Sequence, residues 1–287
     1  MKTNRPRLSE TEFNWWQLKK LTDRNRYSVL VKSDEHGWLT DQTVQRCINR
    51  VLQNNHFDEV ALLGDLMDLP YVSRHEKKLF DDGILAGYSE IKEVEYTKEQ
   101  ILNPLRLSTD ARIRFIPGNH DERITKPHMN SKSQLARLAV LFKEYKTTEY
   151  QKILSFDDYG IEWDGKDFIN WFDVFTGVHG LSLSKNAGEK NIYEYMGSGA
   201  SGHSHRLNYK PITNRNNPYV WLEIGCGRVR TEVEYFPTGK IPDWQHGFAT
   251  IHFYTINKEV YFFAEPHQVI DGMCMYNGVL YDGNPIK

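Results

Sequence analysis

The chain has 287 residues, of which 39% are hydrophobic and 13% aromatic, enough to bury a sizeable core. Its formal net charge of −2 excludes a global field that would draw it to nucleic acid or to an anionic membrane. Contact with a polyanion must therefore come from local patches or bound cations. Three widely spaced cysteines, Cys47, Cys226 and Cys274, form no CxxC pair and indicate neither a zinc–thiolate site nor a disulfide framework.

The segment Met1–Arg7 is polar and lacks the apolar run of a signal peptide, and nowhere do about 18 consecutive apolar residues occur. A soluble, cytoplasmic protein with no membrane span is the expectation. Residues 9–21 read as a helix, with Ser9 and Glu12 at capping-box spacing. Tyr27 to Lys32 reads as a buried strand that delivers Asp34. From Asp41 onward, Val44, Cys47, Ile48, Val51 and Leu52 recur at helical spacing, and Glu59 to Leu63 is a second apolar strand ending at Gly64-Asp65. Strand, helix and strand with short links form a βαβ unit, so the two strands are expected to be parallel with a right-handed crossover.

Residues 69–112 read as a charged, mostly helical insertion. A strand over 112–117 then delivers Gly118-Asn119, a helical stretch lies near 131–154, and the strand DVFTGVH ends at His179. Beyond His205 the pattern becomes β-rich. Tyr219–Ile224, Phe248–Tyr254 and Val260–Ala264 suggest a mainly antiparallel second sheet within residues 206–287. With no repeat and no flexible linker in the sequence, 1–287 reads as a single domain.

Five motifs punctuate these elements: Asp34-Glu35-His36, Gly64-Asp65-Leu66-Met67-Asp68, Gly118-Asn119-His120-Asp121, Val178-His179-Gly180 and Gly202-His203-Ser204-His205. Each sets a carboxylate, amide oxygen or imidazole just after an expected strand. Loops at the carboxyl ends of neighbouring strands converge on one crevice, so residues far apart in sequence can meet there. Two metals held close together suit phosphoryl chemistry, because they polarise phosphoryl oxygens and acidify water. Asp65 is the natural carboxylate to lie between them. Taken singly each motif is weak: a lone histidine is more often packed than ligating, and Gly-Asn-His-Asp is also a good turn. Five of the eleven histidines fall inside the motifs, and chance explains that poorly. The others, His56, His75, His128, His246, His252 and His267, read as surface or packing residues.

The ordered motifs resemble those of the calcineurin-like metallophosphoesterase superfamily, with likeness running from Asp34 to His205. The resemblance implies an α/β fold, a four-layer α/β/β/α sandwich of two mixed sheets with a dinuclear site at strand ends. It implies that Asp34, His36, Asp65 and His205 hold one divalent metal. Asn119, His179 and His203, with Asp65 bridging, hold the second. Histidine and carboxylate donors without thiolate favour manganese, iron, zinc or similar ions and do not choose among them; manganese is the first expectation, with iron, zinc or nickel as alternatives. His120 is implied beside the scissile phosphate, with Asp121 orienting its imidazole. Asp68 is expected to support a ligand or loop from behind. The segment beyond the last motif also resembles the tails of metallophosphoesterases encoded by phages and prophages.

Substrate choice is less visible. Arg123 and Arg206 follow two motifs closely and are candidates for a substrate phosphate, against the plainer reading of ion pairs or solvated side chains. Arg74, His75, Lys77 and Lys78 are either part of a nucleic-acid path or a charged helix face. Trp244 stands apart from the alternating strand aromatics as a surface on which a base could stack. The GNHD form resembles that of nucleases and other phosphodiesterases, whereas protein serine/threonine phosphatases typically carry GNHE. The expectation is a phosphodiesterase acting on DNA, RNA or a nucleotide derivative. A phosphomonoesterase is the alternative, and an inactive metal-binding scaffold a third reading.

Overall fold

The computed structural model describes residues 25–72, 88–125, 132–213, 215, 218–230 and 242–285. The helix expected over 9–21, the Arg74–Lys78 cluster and His128 lie outside the described residues. The first strand, β1 (Arg26–Lys32), shows why two sheets stack here. Its side chains alternate. Tyr27, Val29 and Val31 enter one apolar cluster, while Leu30 enters another on the opposite face. The strand is thus buried on both sides, as expected of a strand inside a layered α/β fold.

The helix-side cluster receives α1 (Gln42–Asn54). Asp41 caps it, its carboxylate accepting the backbone N–H groups of Thr43 and Val44 at 2.9 and 3.4 Å. Val44, Cys47, Ile48, Val51 and Leu52 are all buried. Burying each of the larger apolar side chains is worth about 1.5–3 kcal/mol. We expect Asp41→Ala to lower stability by about 1 kcal/mol, read as a shift in the urea midpoint, because two amides at the helix start lose their acceptor.

β2 (Glu59–Leu62), β3 (Arg112–Phe115) and β4 (Ile161–Glu162) continue from β1 in parallel. Within the 69–112 insertion, the described part holds α2 (Glu90–Tyr96), a π-helical turn (Thr97–Leu102) and α3 (Asn103–Ser108). After β3 come α4 (Glu122–Thr125), α5 (Lys132–Tyr145), α6 (Tyr150–Ile153) and α7 (Phe156–Tyr159). The expected helical stretch near 131–154 is therefore two helices, parted where Lys146 turns left-handed at φ 53°.

The second sheet contains β5 (Phe168–Trp171), β6 (Phe175–Val178), β7 (Gly199–Ser201), β8 (Leu207–Thr213) and β9 (Pro218–Ile224), in the order β5-β6-β7-β9-β8. Its β6, β7 and β9 are mutually parallel. Its outer face meets α8 (Ala187–Tyr195) through Val178, Ile192 and Trp221. A buried carboxylate ties the two sheets together: Glu59 accepts Tyr27 Oη and Trp171 Nε1, both at 2.9 Å.

The C-terminal β-rich region corrects the sequence expectation. β10 (Gly247–Ile256) pairs antiparallel with β1, and β11 (Glu259–Gln268) pairs with β10. Both extend the first sheet, whose order is β11-β10-β1-β2-β3-β4, while only β8 and β9 join the second. Alternation marks a strand but does not select its neighbour, and β10 finds its partner more than two hundred residues back. A last hairpin, β12 (Met273–Tyr276) with β13 (Val279–Asp282), packs on α1 and brings Cys274 Sγ within 3.3 Å of Cys47 Sγ. The architecture is mixed α/β, two large mixed sheets stacked face to face with helices on their outer sides.

Candidate metal centre

β1, β2, β3, β6 and β7 all release their chains at the same end of the stacked sheets. The loops that follow carry Asp34 and His36, Asp65, Asn119, His179, and His203 with His205, respectively. Five of these residues are held left-handed: Asp34, His36, Asp65, His203 and His205 have φ of 58°, 55°, 52°, 63° and 56°. Such backbone costs a non-glycine residue roughly 1–2 kcal/mol, so it persists only where the surroundings impose it, commonly at functional sites. Two glycines permit the close approach. A Cβ on Gly118 would collide with Asp65 Oδ1, and one on Gly202 with Asp34 Oδ2.

The side chains fall into groups whose potential ligand atoms lie within 4.8 Å of one another. Asp34, His36 and His205 form one, and Asp65, His179 and His203 another. In the first, His205 Nε2 is 3.1 Å from both Asp34 Oδ1 and His36 Nε2. In the second, His179 Nε2 is 3.3 Å from Asp65 Oδ2 and 3.0 Å from Asn119 Oδ1. Asp65 lies between the groups, since the same Oδ2 is 3.7 Å from His36 Nε2.

These residues fit divalent cations. Burial, assisted by the neighbouring His120, pushes the His36 imidazole down to about 3, so at neutral pH the ring is neutral and one of its two nitrogens carries a free lone pair. Burial together with His179 lowers His203 to about 4. Burial opposes protonation of His179 too, but the Asp65 and Asp34 carboxylates overcome it and push that imidazole up to about 10. A cation among the same carboxylates would supply that positive charge instead. Outer contacts aim two of the rings: His36 Nδ1 meets Asp68 Oδ1 at 2.8 Å, and His179 Nδ1 donates to Leu63 O at 2.8 Å. Such partners fix the tautomer and leave Nε2 for the metal.

His120 stands beside the first group, its ring 4.6 Å from that of His36. Here the structure departs from the resemblance. Asp121 faces away, accepting the backbone N–H groups of Leu66, Met67 and Gly118 and the hydroxyl of Tyr150. Burial and the nearby Asp65 charge push its carboxyl up to about 6. His120 Nδ1 instead meets Asp68, at 2.7 Å to its carbonyl and 3.3 Å to its carboxylate. The place of Asp68 at the end of the second motif gave no hint of this, because it reaches His120 only when the β2 and β3 loops lie side by side. His36, Asp68 and His120 also form a third potential ligand group.

The two arginines separate. Arg123 reaches the site: one guanidinium nitrogen is 3.3 Å from His120 Nε2, and another donates to the carbonyls of Asp68 and Leu69. Arg206 is tied down elsewhere, pairing with Asp243 at 3.2 Å and donating to the carbonyls of Leu183 and Ser184 at 2.9 and 3.2 Å. Trp244 packs edge-to-face on His205, with ring centroids 4.2 Å apart.

Three residues near the centre had no sequence signal, since none belongs to a motif. Arg228 is buried, 3.5 Å from Asp68 Oδ1, with its guanidinium over the Trp244 ring. Glu223 grips the last motif from β9, its carboxylate accepting the Ser204 hydroxyl. Glu93 on α2 accepts the backbone N–H groups of Asp68 and Leu69, so the insertion braces the loop that serves His120. Burial, then repulsion from Asp68, push the Glu93 carboxyl up to about 8. A carboxyl raised on folding favours the folded state below its ordinary value, and that contribution is lost as pH climbs through the raised one. We therefore expect Glu93→Gln to gain stability relative to the wild type as pH rises from 4.5 to 8, measured by urea midpoints of both proteins in chelator. A constant difference across that range would reject the raised carboxyl.

No family model matches the chain. Among curated proteins it is similar to the Gene 54 protein of Mycobacterium phage L5, at 26% identity over 236 residues, covering 78% of this chain and 88% of that protein. It is similar at 25% identity to the Gene 54 protein of Mycobacterium phage D29, again covering 78% and 88%. Similar solved structures include wild-type Vps29 complexed with Zn²⁺ from Entamoeba histolytica, at 16% identity and TM-score 0.41, covering 90% of this chain and 99% of that one. Another is a predicted phosphoesterase from Streptococcus pneumoniae TIGR4, at 12% identity and TM-score 0.32, covering 84% and 98%. Overlaps of this size say nothing about activity. No helix among the described residues is long and apolar enough to cross a membrane. The two stacked mixed sheets and the grouping of the candidate ligands at one end of them are properties of this chain's own geometry.

Proposed function

We propose that this chain is a dinuclear-metal phosphodiesterase acting on nucleic acid or a nucleotide derivative. The carrying observation is the placement of Asp65 between two groups of histidines and carboxylates, all buried except the half-buried His203, with His120 at their edge. Asp34, His36, Asp65 and His205 would hold one divalent cation, and Asp65, Asn119, His179 and His203 the other; manganese suits this donor set. When bound, such a pair supplies Lewis acidity to the phosphoryl oxygens and acidifies a water.

The chain's own residues do the rest. His120 Nε2 carries the proton that the leaving oxygen takes up, and Asp68 holds Nδ1–H so that the ring presents Nε2 outward. Arg123, beside that nitrogen, offers a planar fork to a non-bridging phosphate oxygen. A diester carries one negative charge per phosphate and a poor alkoxide leaving group, which suits a single adjacent guanidinium and a positioned acid. Trp244, half-buried against His205 with Arg228 beside it, offers an aromatic face to a base.

The test is hydrolysis of bis(p-nitrophenyl) phosphate beside p-nitrophenyl phosphate by manganese-reconstituted protein, with a chelated control. Diester turnover that vanishes with chelator supports the reading and leads to single- and double-stranded oligonucleotides. Turnover of the monoester with the diester untouched makes the chain a phosphomonoesterase.

A further inference from the structure

We infer that Glu223 is a positioning residue that couples the two metal positions by holding the loop of His203 and His205; the inference rests on the dinuclear reading above. His203 belongs to one ligand group and His205 to the other, and only Ser204 separates them. The shape of this single turn therefore sets how the two groups sit relative to each other. Both histidines are left-handed, at φ 63° and 56°, a conformation that a residue with a Cβ does not keep without external support.

Ser204 supplies the handle. Its N–H donates to Gly202 O at 2.7 Å, closing the turn, and its hydroxyl donates to Glu223 Oε1 at 2.6 Å. The same hydroxyl accepts the Arg206 N–H at 3.3 Å. Glu223 lies on β9, cross-paired with Ser201 on β7 and Asn208 on β8, and is 1% exposed. Its second oxygen accepts Asn208 Nδ2 at 3.1 Å. One buried carboxylate thus grips the loop with one oxygen and the neighbouring strand with the other. A charge-assisted bond of this kind is short and directional, and the sheet fixes its origin. Glu223 belongs to neither ligand group, so it acts only through the loop.

The experiment compares wild type, Glu223→Ala, Ser204→Ala and Glu223→Gln, each reconstituted with Mn²⁺. Titration calorimetry reads affinity and stoichiometry, and low-temperature electron paramagnetic resonance distinguishes a spin-coupled pair from isolated ions. Wild type is expected to bind two ions with a coupled signal. Glu223→Ala and Ser204→Ala are expected to weaken both ions together, by about 10- to 100-fold, and to convert the coupled signal into that of isolated Mn²⁺. Glu223→Gln keeps an acceptor for the Ser204 hydroxyl and should recover most of the affinity. Wild-type affinity and coupling in both the Ser204→Ala and Glu223→Ala proteins would overturn the inference, as would a loss confined to one ion. A wild type that never shows a coupled pair would instead bring down the dinuclear reading, and this inference with it. If Glu223→Ala does not fold, Ser204→Ala, which removes one hydroxyl, decides.

Discussion

Replacing His120 with alanine should lower kcat on a phosphodiester by about 10²–10⁴-fold while two metal ions remain bound. That loss corresponds to roughly 3–5 kcal/mol of barrier. Its origin is chemical rather than structural, since the His120 side chain is held by Asp68 and Arg123 at the edge of the two principal ligand groups. An acid matters most when the leaving oxygen is a poor one. The defect should therefore be larger on an oligonucleotide, which expels an alkoxide, than on a nitrophenyl ester, which expels a stabilised phenolate. Metal analysis alongside the kinetics is decisive, because His36, Asp68 and His120 also lie close enough to share an ion. Loss of metal in the alanine variant would make His120 a ligand and not an acid. Two further variants separate the carboxylates. Asp68→Asn should reproduce part of the His120 defect, whereas Asp121→Asn should act mainly on stability, since its partners are three amides and the Tyr150 hydroxyl.

Asp65→Asn should remove the dinuclear centre. Two dications repel each other four times as strongly as two unit charges at the same separation, and a carboxylate between them is the most direct compensation. Asp65 is placed for that: one oxygen faces both His179 and His36, and the other accepts the His120 N–H at 2.8 Å. Despite burial, the surrounding histidines, His179 and His120 foremost, keep its carboxyl well below the usual range. The asparagine retains shape and one acceptor but no charge. We expect manganese stoichiometry to fall from two per chain to one or none, with diesterase activity lost in step. Two tightly bound ions in Asp65→Asn would remove Asp65 from the bridging role.

Much of this centre was visible before any fold. Each ligand follows a short apolar strand, and that arrangement is local: alternation or a buried run marks the strand, and a polar residue after it marks the strand end. The helix-side residues of α1 were legible for the same reason. Where the expectation went astray, a long-range choice was at stake. β10 and β11 carry strand patterns as clear as any, yet no periodicity states that β10 lies against β1. Arg206 follows its motif as closely as Arg123 follows the other, and spacing could not choose between a phosphate contact and an ion pair; in the fold Asp243 and two carbonyls hold it.

By itself, then, the sequence determined the chemistry of the candidate ligands, their order and their position at strand ends, because those depend on residue type and on spacings of a few residues. Only the tertiary structure decided which carboxylate serves His120, which arginine reaches it, and that Glu93, Glu223 and Arg228 brace the centre. Those contacts join residues as many as 160 positions apart, such as Arg228 and Asp68. A hydrogen bond of that kind is specified by where the loops meet once the two sheets have stacked, and no local pattern records it.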